Sequence, residues 1–251
     1  MLQQESLDKL DRFFSQYKPL QYKPRSVISL ACDTSSSIFY IKNGFLRVFR
    51  ISEQGEELTL TILKPKDFFP LTFGMINSSR HSYYLEAITS LEIWKVNIDQ
   101  FHQFINNEPE VYLELTKKVF VRFNDIVSKM EYLVFNNAHT KIMATIISCA
   151  QKFGEKYGDD ILINVPLTHK DIATLVGITR ETTSLEMKKL EKLGYITRHG
   201  KCMIVKNLNK LEKEIKIQKS KSKQVEIINN PTLSKIELNP IAKSVNIERS
   251  A

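Results

Sequence analysis

Residues 167–193 read Leu167-Thr-His-Lys-Asp-Ile-Ala-Thr-Leu-Val-Gly-Ile-Thr-Arg-Glu-Thr-Thr-Ser-Leu-Glu-Met-Lys-Lys-Leu-Glu-Lys-Leu193. Thr168 with Asp171 three residues on makes a capping box, so a helix opens at this point. Ala173 is small enough to admit a second helix at close range. Gly177 follows four residues later, where a sharp turn requires positive φ. Thr179 is an N-cap for the second helix. Within that helix Thr183, Met187 and Leu190 are spaced to face inward, which leaves Arg180, Glu181, Ser184 and Lys188 facing outward. The pattern is a helix-turn-helix, whose second helix enters the DNA major groove with its N-terminal residues at base edges. Just downstream, Tyr195–Arg198 and Cys202–Val205 pair across His199-Gly200-Lys201 as a β wing. A plain helical hairpin would share the two helices but explains neither the wing nor the local charge.

That charge is confined to one end of the chain. The 251 residues carry a formal net charge of +8. Residues 1–165 hold 19 Lys+Arg against 19 Asp+Glu, and residues 166–251 hold 17 against 9. The whole excess therefore lies with the helix-turn-helix and the residues C-terminal to it, which points to a polyanionic partner for that part.

Upstream of the motif the hydrophobic period changes twice. Ser6–Gln16 is a short amphipathic helix with Leu7, Leu10, Phe13 and Phe14 on one face. From Leu20 to Val96 come short β-branched and aromatic runs broken by turns, among them Ile38–Ile41, Phe45–Ile51, Leu58–Leu63 and Tyr83–Ala87. Asn43-Gly44 and Ser52-Glu53-Gln54-Gly55 are turn signals between them, and such spacing predicts a β-barrel or sandwich. Helical periodicity returns at Ile98–Asn106, and Pro109 suits the first turn of a much longer helix. Along it Val119, Phe123, Ile126, Met130, Leu133 and Asn137 follow an a/d seam. Phe120, Val127 and Val134 form a second stripe. One stripe is expected to face the chain's own β domain and the other a partner helix, as in a symmetric dimer. His139–Phe153 is a further helix, ended by Gly154 and the Gly158-Asp159-Asp160 turn, and Ile161–Val165 is a short strand.

Several function classes have nothing to stand on. None of the eight glycines is spaced for a dinucleotide-binding or Walker A loop, and GxSxG and HExxH patterns are missing. Cys32, Cys149 and Cys202 are too far apart for a metal knuckle and odd in number, which fits a reducing cytoplasm. No run of about 18 apolar residues suggests a membrane span, and the N-terminus lacks the apolar core of a signal peptide. The expectation is a non-enzyme with no cofactor and no metal. The competing expectation is a ligand-sensing scaffold whose winged helix binds a protein partner.

The order of these parts resembles the CRP/FNR family of bacterial transcription regulators over about residues 1–208. The nearest local matches are Val176-Gly177-Ile178-Thr179-Arg180-Glu181-Thr182 and His199-Gly200-Lys201. The resemblance implies an α+β fold: an N-terminal β-roll sensor, like the jelly roll of cyclic-nucleotide-binding domains, over 1–108; a dimerisation helix over 109–137; and a C-terminal winged helix-turn-helix over 138–208. Beyond Leu208 the resemblance stops, and residues 209–251 read as a Lys-rich tail in which Glu212–Lys223 extends a short helix and the remainder is disordered. It implies a cytoplasmic homodimer on a palindromic operator in double-stranded DNA, with RNA polymerase as a further partner and no membrane. Arg180 and Glu181 match the family's base-contacting pair, consistent with Arg reading guanine and Glu accepting from cytosine. Thr168 and Thr182 match threonines near the phosphate backbone. The whole expected DNA-binding set is Thr168, His169, Thr179, Arg180, Glu181, Thr182, Ser184, Leu185, Lys188, His199 and Lys201; the dimerisation set is Val119, Phe123, Ile126, Met130 and Leu133.

Two departures from the family pattern matter. Many members carry a third base-reading Arg where this chain has Leu185, so the operator is expected to be related to TGTGA or TTGA half-sites but altered at one position. Cyclic-nucleotide-binding members hold the phosphate with a Gly-Glu-Leu segment and an Arg-Ser pair. Here Pro70 and Leu71 replace the glycine and the glutamate, His81 takes the arginine's place, and Arg80 sits one residue early. Cyclic AMP is therefore not expected to act. The four-cysteine cluster of an iron–sulfur sensor is missing too. The segment is instead aromatic, with Phe68, Phe69, Phe73, Tyr83 and Tyr84. The favoured expectation is a filled core; its rival is an apolar pocket for an unknown small-molecule effector, built from Phe68, Phe69, Leu71, Arg80, His81, Ser82 and Tyr83.

Overall fold

The computed structural model describes residues 2–29, 37–70 and 83–215. The chain divides into two units at residue 208, 1–208 and 209–251. Of the second unit residues 209–215 are described, and they are helical.

The first unit begins with α1 (Leu2–Ser15) and continues through β1 (Leu20–Tyr22), β2 (Val27–Ser29), β3 (Ser37–Asn43), β4 (Leu46–Ile51), β5 (Glu57–Leu63), β6 (Phe68–Phe69), β7 (Tyr84–Ala87) and β8 (Leu91–Asn97). These strands make two antiparallel four-stranded sheets, in the orders β1-β8-β3-β6 and β2-β7-β4-β5. β3 explains why the region reads as apolar runs rather than clean alternation, because both of its faces are covered. Phe39 and Ile41 join Leu46, Val48, Leu63, Phe69, Leu85 and Ile93 in one buried cluster. Ile38 and Tyr40 join Leu10 and Phe14 of α1, with Phe68 and Trp94, in another. The Phe14 ring stacks on Tyr40 at 4.4 Å, and the Tyr40 hydroxyl donates to Asp11 at 2.8 Å. α1 starts one turn earlier than its periodicity indicates but buries the expected face.

Next come α2 (Ile98–Asn107), α3 (Pro109–Phe135) and α4 (Ala138–Phe153). The start of α3 adds Val111 and Leu115 to the α1 cluster. α3 ends at Phe135, short of the expected 137. Asn137 is not a seam residue: its side chain accepts from Thr140 N at 2.9 Å and caps α4. The expectation of one stripe turned inward is also corrected. Val119 is half-buried against the β-roll core and Leu133 is half-buried. Both stripes are otherwise open, from 40% exposure at Val127 to 68% at Val134, with Phe120, Phe123, Ile126 and Met130 between. The side of α3 turned toward its own β-roll is cationic. Arg122 pairs with Asp67 and donates to Phe68 O at 3.1 Å; Lys118 donates to Lys66 O at 3.1 Å; Lys129 donates to Thr59 O at 2.9 Å. Burial pushes the Lys129 ammonium down to about 8. Lys152 of α4 donates to Ile62 O at 2.8 Å. Lysines thus cap the edge strand β5, which closes a ladder edge that would otherwise pair with another chain.

The unit ends with β9 (Gly154–Tyr157), β10 (Asp160–Ile163), α5 (His169–Val176), α6 (Arg180–Lys192), β11 (Ile196–His199) and β12 (Cys202–Val205). The third sheet has the order β11-β12-β10-β9 and is antiparallel throughout. β9 was not expected from the sequence, because Gly-Glu-Lys-Tyr is polar and becomes a strand only by pairing with β10. Gly154 marks the close approach, since a Cβ there would collide with Ala150 O and the Ile161 side chain. No helix among the described residues is long and apolar enough to cross a membrane.

Candidate nucleic-acid interface

Local chemistry builds the helix-turn-helix from its caps inward. Thr168 Oγ1 accepts from Asp171 N at 3.2 Å, and the Asp171 carboxylate accepts from Thr168 N at 2.8 Å, so both halves of the capping box form. α5 ends on Gly177 at φ 72°, whose N–H donates to Ala173 O at 2.8 Å. Only a residue without Cβ takes that left-handed position freely, and it turns the chain into Thr179. Thr179 Oγ1 accepts from Thr182 N at 3.1 Å and starts α6. Thr183, Met187 and Leu190 are fully buried. Fixed by these three, α6 leaves Arg180, Glu181, Leu185 and Lys188 exposed, with Thr182 and Ser184 half-buried beside them. Leu185 is 62% exposed, a large apolar side chain alone on a polar face.

Of the expected residues, Thr168 and His169 stand at the start of α5 and Thr179, Arg180, Glu181 and Thr182 at the start of α6, while Ser184, Leu185 and Lys188 lie further along α6. His169 is half-buried at the start of α5. Burial first, then the charge of Arg198 with those of Arg180 and Lys188, hold its imidazole below the ordinary histidine value against the opposing carboxylate of Glu191. His169 thus opens α5 among charges of both signs, with the cations of α6 and the wing outnumbering Glu191. Arg198 was not among the residues expected from the sequence. Its signal was the period of two along β11, which puts it on the same strand face as buried Ile196. His199 and Lys201 lie exposed at the wing tip, and the His199 ring stands 5.7 Å from Tyr157. Thr179 and Thr182 spend part of their capacity on each other, Thr179 Oγ1 donating to Thr182 Oγ1 at 2.9 Å. Behind the open face of α6, Glu186 meets His139 Nδ1 of α4 at 2.7 Å, which ties α6 to the start of α4.

The expected effector pocket is described only in part. Phe68 and Phe69 are buried, in two different clusters. Tyr83 is half-buried and meets Phe69 edge-on at 5.8 Å. Leu71, Phe73, Arg80, His81 and Ser82 lie outside the described residues, as does Cys32. Among the described residues no group of three or more His, Cys, Asp or Glu is placed to hold a metal ion.

Known proteins show the same division. Residues 19–108 match the cyclic nucleotide-binding domain model and residues 140–214 the Crp-like helix-turn-helix domain model. The chain is 26% identical over 196 residues to the cAMP-activated global transcriptional regulator CRP of Pasteurella multocida, covering 78% of this chain and 93% of that one. It is 25% identical over 213 residues to the anaerobic regulatory protein of Aggregatibacter actinomycetemcomitans, covering 84% and 80%. Among solved structures, a CooA variant from Carboxydothermus hydrogenoformans matches with a TM-score of 0.68 at 21% identity, over 81% of this chain and 90% of that one.

Proposed function

The chain belongs to the CRP/FNR family of DNA-binding transcription regulators, and on that premise we propose that it is a homodimer reading a palindromic operator. The observation that carries this reading is the open face of α6, where Arg180, Glu181, Leu185 and Lys188 stand exposed on a helix held from behind by buried Thr183, Met187 and Leu190. In this reading residues 1–108 are the sensor, 109–137 the dimerisation segment and 138–208 the reader. α3 pairs with its copy through Phe123, Ile126 and Met130, flanked by Phe120, Val127 and Val134, since an apolar face this wide is costly to leave in water. Arg180 and Glu181 read base edges, and Leu185 contacts a thymine methyl in place of a donor to guanine. Thr168, His169, Thr182, Lys188, Arg198, His199 and Lys201 face phosphates. The protein works in the cytoplasm, has no catalytic role and needs no cofactor; RNA polymerase is its further partner.

The β-roll is proposed not to respond to cyclic AMP, because Pro70 and Leu71 replace the glycine and glutamate and His81 stands where the arginine is needed. The burial of Phe68 and Phe69 supports a filled core rather than a ligand pocket. Genome-wide mapping of bound DNA tests the main reading: a shared palindromic motif at the bound sites supports it, and binding without one refutes it. Calorimetry tests the sensor. No heat with cyclic AMP is expected, and micromolar binding would overturn the reading of Pro70 and His81.

A further inference from the structure

Six side chains of alternating charge link the β-roll to α5. Asp171 of α5 accepts two bonds from Arg25, Nη1 to Oδ1 and Nη2 to Oδ2, both at 2.8 Å. Arg25 Nη1 also donates to Glu86 Oε1 at 3.2 Å. Glu86 Oε2 accepts from Arg47 Nη2 at 2.6 Å, and the same Nη2 reaches Glu57 Oε2 at 2.8 Å. Glu57 Oε1 accepts from Lys170 at 3.3 Å. Lys170 precedes Asp171 in the chain, so the run of charges closes into a ring. Four members belong to the β-roll, on β4, β5, β7 and the turn before β2; two belong to the reader. The Asp171 side chain is 3% exposed and Arg25 46%, so the fork enters from the rim. Bidentate Arg–carboxylate pairs fix direction as well as distance.

Two further observations mark this contact as built. Next to the ring, Thr59 of β5 and Thr174 of α5 share a buried hydrogen bond at 2.8 Å. Thr174 donates to Asp171 O at 3.0 Å, which leaves Thr59 as the donor between them. The backbone of Arg25 is the second. It occupies the third position of the turn Lys23-Pro24-Arg25-Ser26, closed by Ser26 N to Lys23 O at 3.1 Å, and its φ is +66°. Glycine or asparagine suits that position. An arginine held there signals surroundings that over-determine it; these are Ala87 O, which accepts from Arg25 N at 2.7 Å, and the carboxylates of Asp171 and Glu86.

The ring grips the reader through α5 and leaves Arg180, Glu181, Leu185 and Lys188 of α6 exposed. We infer that Arg25 is a positioning residue for DNA recognition: acting through Asp171, it holds the helix-turn-helix on its own β-roll and so sets the distance between the two recognition helices of the dimer. This rests on the DNA-reading dimer proposed above. The two helices must meet successive major grooves ~34 Å apart, and a head free to swing meets them at many separations. Arg25 touches no DNA in this scheme.

The test is a selection by the full-length protein from duplexes carrying two copies of its own half-site, separated by spacers of varied length. Wild type is expected to return one spacer. Arg25→Ala should return the same half-site over several spacers, with affinity at the best one lowered on the order of tenfold through lost preorganisation. Arg25→Lys keeps the charge without the fork and should fall between. Arg25→Gly relieves the backbone while removing the side chain, so it separates positioning from folding: it should remain a folded dimer and still lose the spacer preference. A folded Arg25→Gly dimer that keeps the single spacer overturns the inference. So does one that loses base preference together with spacing, since that is a structural defect. A wild type that selects no palindrome refutes the DNA-reading dimer itself, and the inference falls with it.

Discussion

The open side of α3 carries Phe120, Phe123, Ile126, Val127, Met130 and Val134, whereas the open side of α6 carries Arg180, Glu181, Leu185 and Lys188. Both helices use one face against their own unit and present the other. They divide the work in opposite ways. α6 packs inward through Thr183, Met187 and Leu190 and shows charge outward. Past its first turns α3 turns cations inward, at Lys118, Arg122 and Lys129, and apolar groups outward. In the proposed reading the apolar outer face takes a second copy of itself, and the cationic one, with one acid and one leucine, takes a polyanion with a sequence.

The largest effect expected is from making the outer side of α3 resemble that of α6. Ile126→Lys with Met130→Lys puts like charges into an apolar interface, where desolvation is costly. The variant should sediment as a monomer, and loss of the second half-site should weaken operator binding by ~100-fold or more. A stable dimer in analytical ultracentrifugation would contradict the seam. Next in size, Arg180→Ala or Glu181→Ala should cost ~1–3 kcal/mol per half-site in a titration against operator duplex and relax one base pair. Leu185→Arg adds a donor at the position where this face carries leucine, and should move preference toward guanine at the base it meets, with little change in overall affinity. Lys201→Ala should weaken all sequences alike and reduce the salt slope by about one per site.

The smallest effect is one of pH. Burial and the charges of Arg198, Arg180 and Lys188, opposed in part by Glu191, lower the His169 imidazole in the free protein. A phosphate beside it offsets those charges, so the complex binds more protons than the free protein near the ordinary histidine range. Affinity should therefore rise as pH falls from about 7.5 to about 5.5, and His169→Gln should flatten that part of the profile. An unchanged profile in that variant would place His169 away from the phosphates.

The sequence discloses most where its signals are most local. The capping box at Thr168 and Asp171, the turn at Gly177 and the cap at Thr179 lie within a few residues of the backbone groups they serve, and the structure forms all of them. β9 stayed hidden because a polar strand has no period of its own to reveal it. The inner face of α3 stayed hidden for a related reason. Lys118 and Lys129 look solvated in a sequence, and only the carbonyls of Lys66 and Thr59 explain their burial. Arg198 was missed beside the more conspicuous His199 and Lys201. The Arg25–Asp171 fork joins residues 146 positions apart, a pairing no periodicity encodes.

The central claim is that α6 reads bases, and binding selection on randomised half-sites with the wild type, Arg180→Ala and Glu181→Ala measures it directly. The wild type should return one palindromic motif, and each variant should lose preference at one base pair, in both half-sites alike. Variants that return the wild-type motif unchanged would show that another surface does the reading.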